Sequence, residues 1–268
     1  MHSMMKNNDD LIDDHLAAPM KSTSDFHIHL HHSPCTSKEM TPGNILRKAS
    51  EVGLSRVGLV NHLHPDTPLA LFDMAREEIA LVREAFSGTV LMGGEAELLD
   101  QNGSTTLTGE CYEHVDYILL AMGHTQLPWV KLNTDLAPEA FLIKETESLL
   151  KAISGHRVDI VAHPYIYGFL FKDAPKLAQG LRPHKIPADL IDALAKALIK
   201  NNTRMEFHCR DLIIRPERLG GDSFVRSYMR LLGQLREKGV LFTAGSDAHY
   251  LDQIGRTIHA PSWANSII

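Results

Sequence analysis

Histidines and carboxylates recur along this chain at spacings that suit metal chemistry. DFHIHLHH, from Asp25 to His32, places His27, His29, His31 and His32 within six positions. The same residue types return in NH at Asn61-His62, GGEAE with Glu95 and Glu97, AMGH ending at His124, VAHP with His163, MEFH with Glu206 and His208, and GSDAH with Asp247 and His249. The chain holds 16 histidines in 268 residues, so their placement matters more than their presence. A lone histidine after an apolar run is usually a hydrogen-bonded structural residue. Seven such endings in one chain ask for a common cause.

The elements between them supply one. Short apolar runs alternate with amphipathic stretches. SDFHIHL, SRVGLVNH, GTVLMGGEAELL, VDYILLAMGH, VDIVAHP, TRMEFHC and VLFTAGSDAH read as strands. TPGNILRKASEVG, ALFDMAREEIALVREAF, PEAFLIKETESLLKAIS, IPADLIDALAKALIK and FVRSYMRLLGQLREKG read as helices, the first capped by Thr41 with Pro42 at its first position. The polar link from Asp100 to Glu113 lacks the pattern of a full helix. Near-continuous apolar strands separated by helices predict parallel pairing with right-handed crossovers. Seven units without a Gly-rich phosphate loop predict an irregular α/β barrel, in which chemistry belongs at the C-terminal strand ends. Those ends are where the histidines and carboxylates fall.

Residues two apart in a strand share a side, so His27 and His29 enter one site together, as do Asp247 and His249. Imidazole and carboxylate suit zinc, manganese or iron, and no cysteine cluster points to a closed structural zinc site. His27, His29, His62, Glu95, His124, His163, Asp247 and His249 make eight expected ligands. That number implies two or three ions with a bridging carboxylate.

The rest of the sequence sets the context. Apolar residues make up 44% and charged residues 22%, enough for a sizeable core, and the formal net charge of -6 argues against a dedicated nucleic-acid binder. Three distant cysteines without a CxxC pair predict a reducing, cytoplasmic setting, with Cys209 a structural thiol. No apolar run approaches the about 18 residues of a membrane span. Residues 1–23 read as a polar extension with a short helix around Leu11–Ala18, where His2 and His15 carry no expected role, and residues 24–268 as a single domain. For substrate contacts, Arg210 after the sixth strand and His64 two beyond His62 are the leading candidates, with Arg215, Arg218 and Arg256 behind them. The segment YIYGFLFKDAPKLAQGLRPHKIP reads as a long substrate-covering loop.

Taken in order, DFHIHLHHSP, GLVNHLHP, GGEAE, AMGH, VAHP and GSDAH resemble the polymerase and histidinol phosphatase (PHP) family of metal-dependent phosphoesterases, over roughly residues 24–255. The resemblance implies a distorted (β/α)7 barrel and hydrolysis of a small phosphomonoester by metal-bound hydroxide. It implies a first ion on His27, His29, Glu95 and Asp247, a second shared by Glu95 with His124 and His163, and a third on His62 and His249. Two positions depart from the family pattern. Asn61 stands where an aspartate is frequent, and the loop ligand of the third ion falls to Cys35 or His32, with Cys35 preferred. Catalytic roles fall to Asp247, His249 and Glu95, with Asp247 or His249 assisting the leaving group and Glu206 fixing an imidazole tautomer. Competing readings are an amidohydrolase, which would ordinarily have eight strands and a bridging lysine, a nuclease or phosphodiesterase of the same family, and a metal-free binding scaffold. Oligomeric state is left open.

Overall fold

The computed structural model describes residues 22–264 except 215 and 220, without the side chains of 216 and 218. The expected helix at Leu11–Ala18, His2, His15, Arg215 and the side chain of Arg218 lie outside the described residues.

The strands are β1 (Ser24–His29), β2 (Arg56–Leu63), β3 (Thr89–Glu97), β4 (Tyr117–Ala121), β5 (Ile160–Ala162), β6 (Arg204–His208) and β7 (Phe242–Gly245). They lie in sequence order in one sheet, every neighbouring pair parallel. Just beyond β7, Ala248 closes the ring on β1: His29 N–H donates to Ala248 O at 2.9 Å, and Ala248 N–H to His27 O at 3.2 Å. The fold is a (β/α)7 barrel, as expected, closed by a single bridge.

The crossovers carry α1 (Pro42–Glu51), α2 (Ala70–Val82), α3 (Cys111–His114), α4 (Pro138–Gly155), α5 (Leu170–Asp173), α6 (Pro175–Gly180), α7 (Ala188–Lys200) and α8 (Asp222–Glu237). Thr41 caps α1 by accepting the Asn44 N–H, with Pro42 at the first turn. Between β3 and β4 there is only the single turn of α3, in keeping with the turn-rich link. The segment after β5 differs from its reading as a loop. It contains α5, α6 and a 3-10 turn at Pro183–Lys185, elements too short to leave a helical period in the sequence. Leu170 is buried there, whereas Phe169 remains 40% exposed.

Strand alternation sorts side chains between two cores. Val57, Leu59, Met92, Ile118, Leu120, Val161, Met205 and Phe207 pack outward against the helices. Phe26, Val60, Tyr117, Leu119, Ala121, Ile160 and Ala162 form a separate cluster made of strand residues alone, the barrel interior. A register shift between Asp25 and Ile28 breaks the alternation of β1, so Phe26 belongs to the interior cluster and Ile28 to the outer one. Tyr117 is the largest part of the plug, and its hydroxyl donates to Phe26 O at 2.6 Å. A side chain at Gly58 would overlap that hydroxyl, so glycine makes room for the ring. Above the apolar plug, the same inward-facing register continues into His62, Glu95, Glu97, Glu206 and His208.

Outside the barrel, buried Glu145 of α4 accepts from Tyr167 Oη at 3.0 Å and from Gln101 Nε2 at 3.1 Å. Burial raises its carboxyl from an ordinary 4.5 to about 7, against the opposing pull of the two hydrogen bonds. The folded state therefore holds this proton where the unfolded chain has lost it. The resulting stabilisation is complete below about pH 4.5 and disappears as pH rises through about 7, a difference of roughly 3 kcal/mol. Glu145→Gln should flatten this dependence: its urea midpoint should match wild type only below about pH 4.5 and exceed it near pH 8. Parallel pH profiles would contradict the assignment.

Candidate metal centre

Glu95, near the end of β3, stands at the middle of the imidazoles. Its Oε1 lies 3.3 Å from His27 Nε2 and 3.2 Å from His163 Nε2. Its Oε2 lies 3.4 Å from His29 Nε2 and 2.9 Å from His62 Nδ1. Asp247 Oδ1 adds contacts of 3.1 Å to His29 Nε2 and 3.6 Å to His27 Nε2, while the two Nε2 atoms are 3.1 Å apart. His124 joins Glu95 and His163 in a group whose donor atoms lie within 4.8 Å of one another, and His249 joins His29 and His62 in another.

The donor set fits divalent ions on three observations. Ligands at about 2.0–2.1 Å from one tetrahedral ion sit about 3.3–3.4 Å from each other, which is the spacing found around Glu95. Glu95 Oε2 and His62 Nδ1 are buried at 2.9 Å yet not aligned for a hydrogen bond. Finally, four of the rings are held from behind through Nδ1: His27 by Glu206 Oε1 at 2.7 Å, His124 by Glu97 Oε1 at 2.9 Å, His163 by Met122 O at 3.1 Å and His249 by Asp247 O at 2.9 Å. An Nδ1–H that donates backward leaves the Nε2 lone pair facing the site, the usual arrangement behind metal-binding histidines.

The electrostatics match. Burial alone would raise the Glu95 carboxyl, but His27 and His62 outweigh it and hold it well below its ordinary value. Asp247 is likewise held down against its burial, chiefly by Arg210 and then by His249 and His27. Burial lowers His27, yet Glu206, Glu95 and Asp247 overcome it and favour positive charge there. His29 is driven well below its ordinary value by burial and by His249 and His62, and stays a neutral ring. The ionised carboxylates draw positive charge onto His27, His62, His124 and His249, a charge that a bound divalent cation would supply in place of those protons.

Cys35 and His32 part company. Cys35 Sγ lies 3.3 Å from His62 Nε2, and although burial works against it, hydrogen bonds with His249 and His62 lower the thiol to about 6. His32 instead faces Glu78, away from this group. His64 stacks on His62 with centroids 4.5 Å apart, and its Nε2 is 3.5 Å from Glu97 Oε1. Asn61 is buried and its Oδ1 accepts from Ser33 Oγ at 3.5 Å.

Three expected strand endings are corrected. β4 stops at Ala121, β5 at Ala162 and β7 at Gly245, so His124, His163, Asp247 and His249 occupy the turns beyond. His163 and Asp247 have φ of 32° and 49°, a left-handed conformation uncommon for such residues. Asp247 and His249 therefore meet through this bend, with Asp247 Oδ1 3.4 Å from His249 Nδ1, and not through strand alternation.

Arg210 opens a π-helical turn, Arg210–Ile214, directly after β6. Its Nη1 is 2.6 Å from Asp247 Oδ2, and it lines a small open cleft with His124, His163, His208, Asp211 and Phe169. Arg256 lies elsewhere in chain order, opening a 3-10 turn after the closing bridge. Cys209 is fully buried, donating to Phe207 O at 3.5 Å.

Glu97 and His208 had no assigned role in the sequence reading, although Glu97 keeps the two-residue spacing from Glu95 that would have flagged it. Glu206 does more than orient one ring. Its Oε2 also accepts the His163 N–H at 2.7 Å and faces His208 Nδ1 at 3.3 Å. A methyl at Gly245 would overlap its Oε1, so the glycine on β7 is what admits this carboxylate. Glu206→Gln keeps the volume and loses the charge behind His27. It should weaken metal affinity about 10–100-fold with the melting temperature little changed, read by metal titration of the stripped protein. Unchanged affinity would remove Glu206 from the support of the site.

No family model matches the chain. A protein named as a probable phosphatase from Aliivibrio fischeri is 25% identical over 167 residues, covering 62% of this chain and 54% of the relative. The chain thus matches about half the length of that curated relative. Among solved structures, one assigned as a histidinol phosphatase from Listeria monocytogenes superposes with a TM-score of 0.59 at 13% identity, covering 87% of this chain and 97% of the other. The histidinol phosphate phosphatase of Lactococcus lactis, complexed with zinc, L-histidinol and phosphate, gives 0.56 at 14% identity, covering 89% and 90%. At these identities the likeness establishes the barrel.

Proposed function

We propose that this chain is a PHP-type, metal-dependent phosphoesterase that hydrolyses a small phosphomonoester, histidinol phosphate being the first substrate to try. The observation that carries the reading is the back-tethered ring of imidazoles converging on Glu95 and Asp247 at the C-terminal mouth of a seven-stranded barrel. The names of the similar proteins add support.

His27, His29, Glu95 and Asp247 would hold one divalent ion; Glu95, His124 and His163 a second; and His62, His249 and Cys35 a third, from zinc, manganese or iron. When bound, such ions supply Lewis-acid polarisation of phosphoryl oxygens and an activated water. The protein supplies the remainder. Glu206 and Glu97 keep His27 and His124 in the tautomer that presents Nε2. Arg210 has five N–H groups in a planar fork, and those not engaged by Asp247 and Asp211 are disposed for the non-bridging oxygens of the ester. With Asp247 held ionised, the proton due to the leaving alkoxide would come from His249 wherever that ring is not engaged by an ion, or from water. His64 packs between His62 and Trp129, with ring centroids 4.5 and 5.1 Å away, and is not among the residues lining the Arg210 cleft. Phe169, partly exposed over His124 at 6.5 Å, covers the cleft.

Among the described residues no helix is long and apolar enough to cross a membrane. A panel of small phosphomonoesters, phosphodiesters, single-stranded DNA and amide substrates, assayed with added zinc or manganese, tests the proposal. Phosphate release from monoesters should dominate. Ammonia release, or DNA cleavage at a comparable rate, would transfer the site to one of the competing activities.

A further inference from the structure

The opening run of four histidines has two destinations. His27 and His29 enter the barrel mouth. The chain then turns, and the rings of His31 and His32 lie together with centroids 4.1 Å apart and planes at 35°. Both face Glu78 on α2: His32 Nε2 is 3.3 Å from Oε1, and His31 Nε2 is 3.8 Å from Oε2. One ligand atom from each of the three residues lies within 4.8 Å of the other two.

As ion pairs these contacts are poor, because a charge-assisted N–H···O bond closes to about 2.7–2.9 Å. As donors around one cation they are well spaced, given the separation of about 3.3–3.4 Å for tetrahedral ligands. Unlike the rings at the barrel mouth, neither ring is held from behind: Nδ1 of both is buried without a hydrogen-bond partner, so no protein acceptor fixes either tautomer. The side chains of His31 and Glu78 are 23% and 36% exposed, so ions can enter and water can fill the remaining positions. Lys38 of this loop donates to the His31 carbonyl at 3.3 Å, on the backbone side. None of these contacts involves Glu95, Asp247 or the rings around them.

We propose that His31, His32 and Glu78 form an auxiliary divalent-cation site, separate from the barrel mouth and suited to zinc, that pins the β1–α1 loop to α2. Two imidazoles and one carboxylate with open positions match zinc preferences. The pinned loop also carries Cys35, so occupancy would hold that thiol against His62. The site stands whether or not the barrel mouth hydrolyses phosphate esters.

The test is calorimetric titration of the full, chelator-stripped chain with Zn2+ alone, comparing wild type, Glu78→Gln, His31→Ala and Asp247→Ala. Glu78→Gln changes a part-exposed surface residue, and its fold can be checked by melting temperature. The expected result is one fewer zinc equivalent in Glu78→Gln and His31→Ala, or at least tenfold weaker binding of that one. Asp247→Ala should retain it. The proposal is overturned if Glu78→Gln and His31→Ala take up zinc as wild type does. It is equally overturned if the equivalent they lose is the one that Asp247→Ala also loses.

Discussion

Asp247→Ala is expected to reduce phosphate release by about 10³-fold or more while the barrel stays folded. Asp247 touches two prospective metal ligands, His29 and His27, and at the same time holds the cationic fork of Arg210. Its loss removes an anionic ligand and frees the arginine from its position at the cleft. Several kcal/mol of transition-state stabilisation rest on such charge placement, and about 4 kcal/mol corresponds to roughly 10³ in rate. Asp247→Asn should retain the left-handed turn better than alanine, because asparagine tolerates a φ near 49°. An activity loss in alanine that asparagine restores fully would mean the residue acts through backbone shape. Loss in both, with unchanged melting temperature, assigns the effect to the charge.

Glu95→Gln should be as damaging for a different reason. Each of its two oxygens faces two imidazole nitrogens, so a single substitution alters the surroundings of four histidines. If Glu95 bridges two ions, the variant should lose affinity at two positions together, whereas Asp247→Ala should weaken mainly one. Metal analysis after dialysis against zinc would show this as a larger deficit in Glu95→Gln than in Asp247→Ala. Equal deficits would argue against a bridging role. Phosphate release should fall on the order of 10³-fold in either case.

The sequence made the barrel legible because the strands are buried on both faces and alternate with helices long enough to show their period. Pairing order followed from that alternation, since each crossover returns to the neighbouring strand. His27 and His29 were also legible, because β1 stays extended through both. Beyond the strand ends the two-residue rule has no purchase. His124, His163 and Asp247 sit in turns, two of them with left-handed backbones, and no local pattern specifies where such turns aim a side chain. The choice between Cys35 and His32 was a matter of three-dimensional distance. The loop turns at His31, sending two rings toward Glu78 and the thiol toward His62, contacts separated by 46 and 27 positions in the chain. Glu97 was seen but unassigned, because its partner His124 lies 27 residues on. The short helices α5 and α6 were missed for want of length.

The central claim is that divalent ions held by this ring of histidines and carboxylates are required for phosphate-ester hydrolysis. It is tested most directly by measuring phosphate release from histidinol phosphate and a set of simple phosphomonoesters with one preparation in three states: as purified, stripped by chelator, and restored with zinc or manganese. The account predicts that release disappears on stripping, returns with metal, and fails to return in the Asp247→Ala protein. Phosphate release that survives complete metal removal, or none at all from the restored wild-type protein on any phosphomonoester, would contradict it.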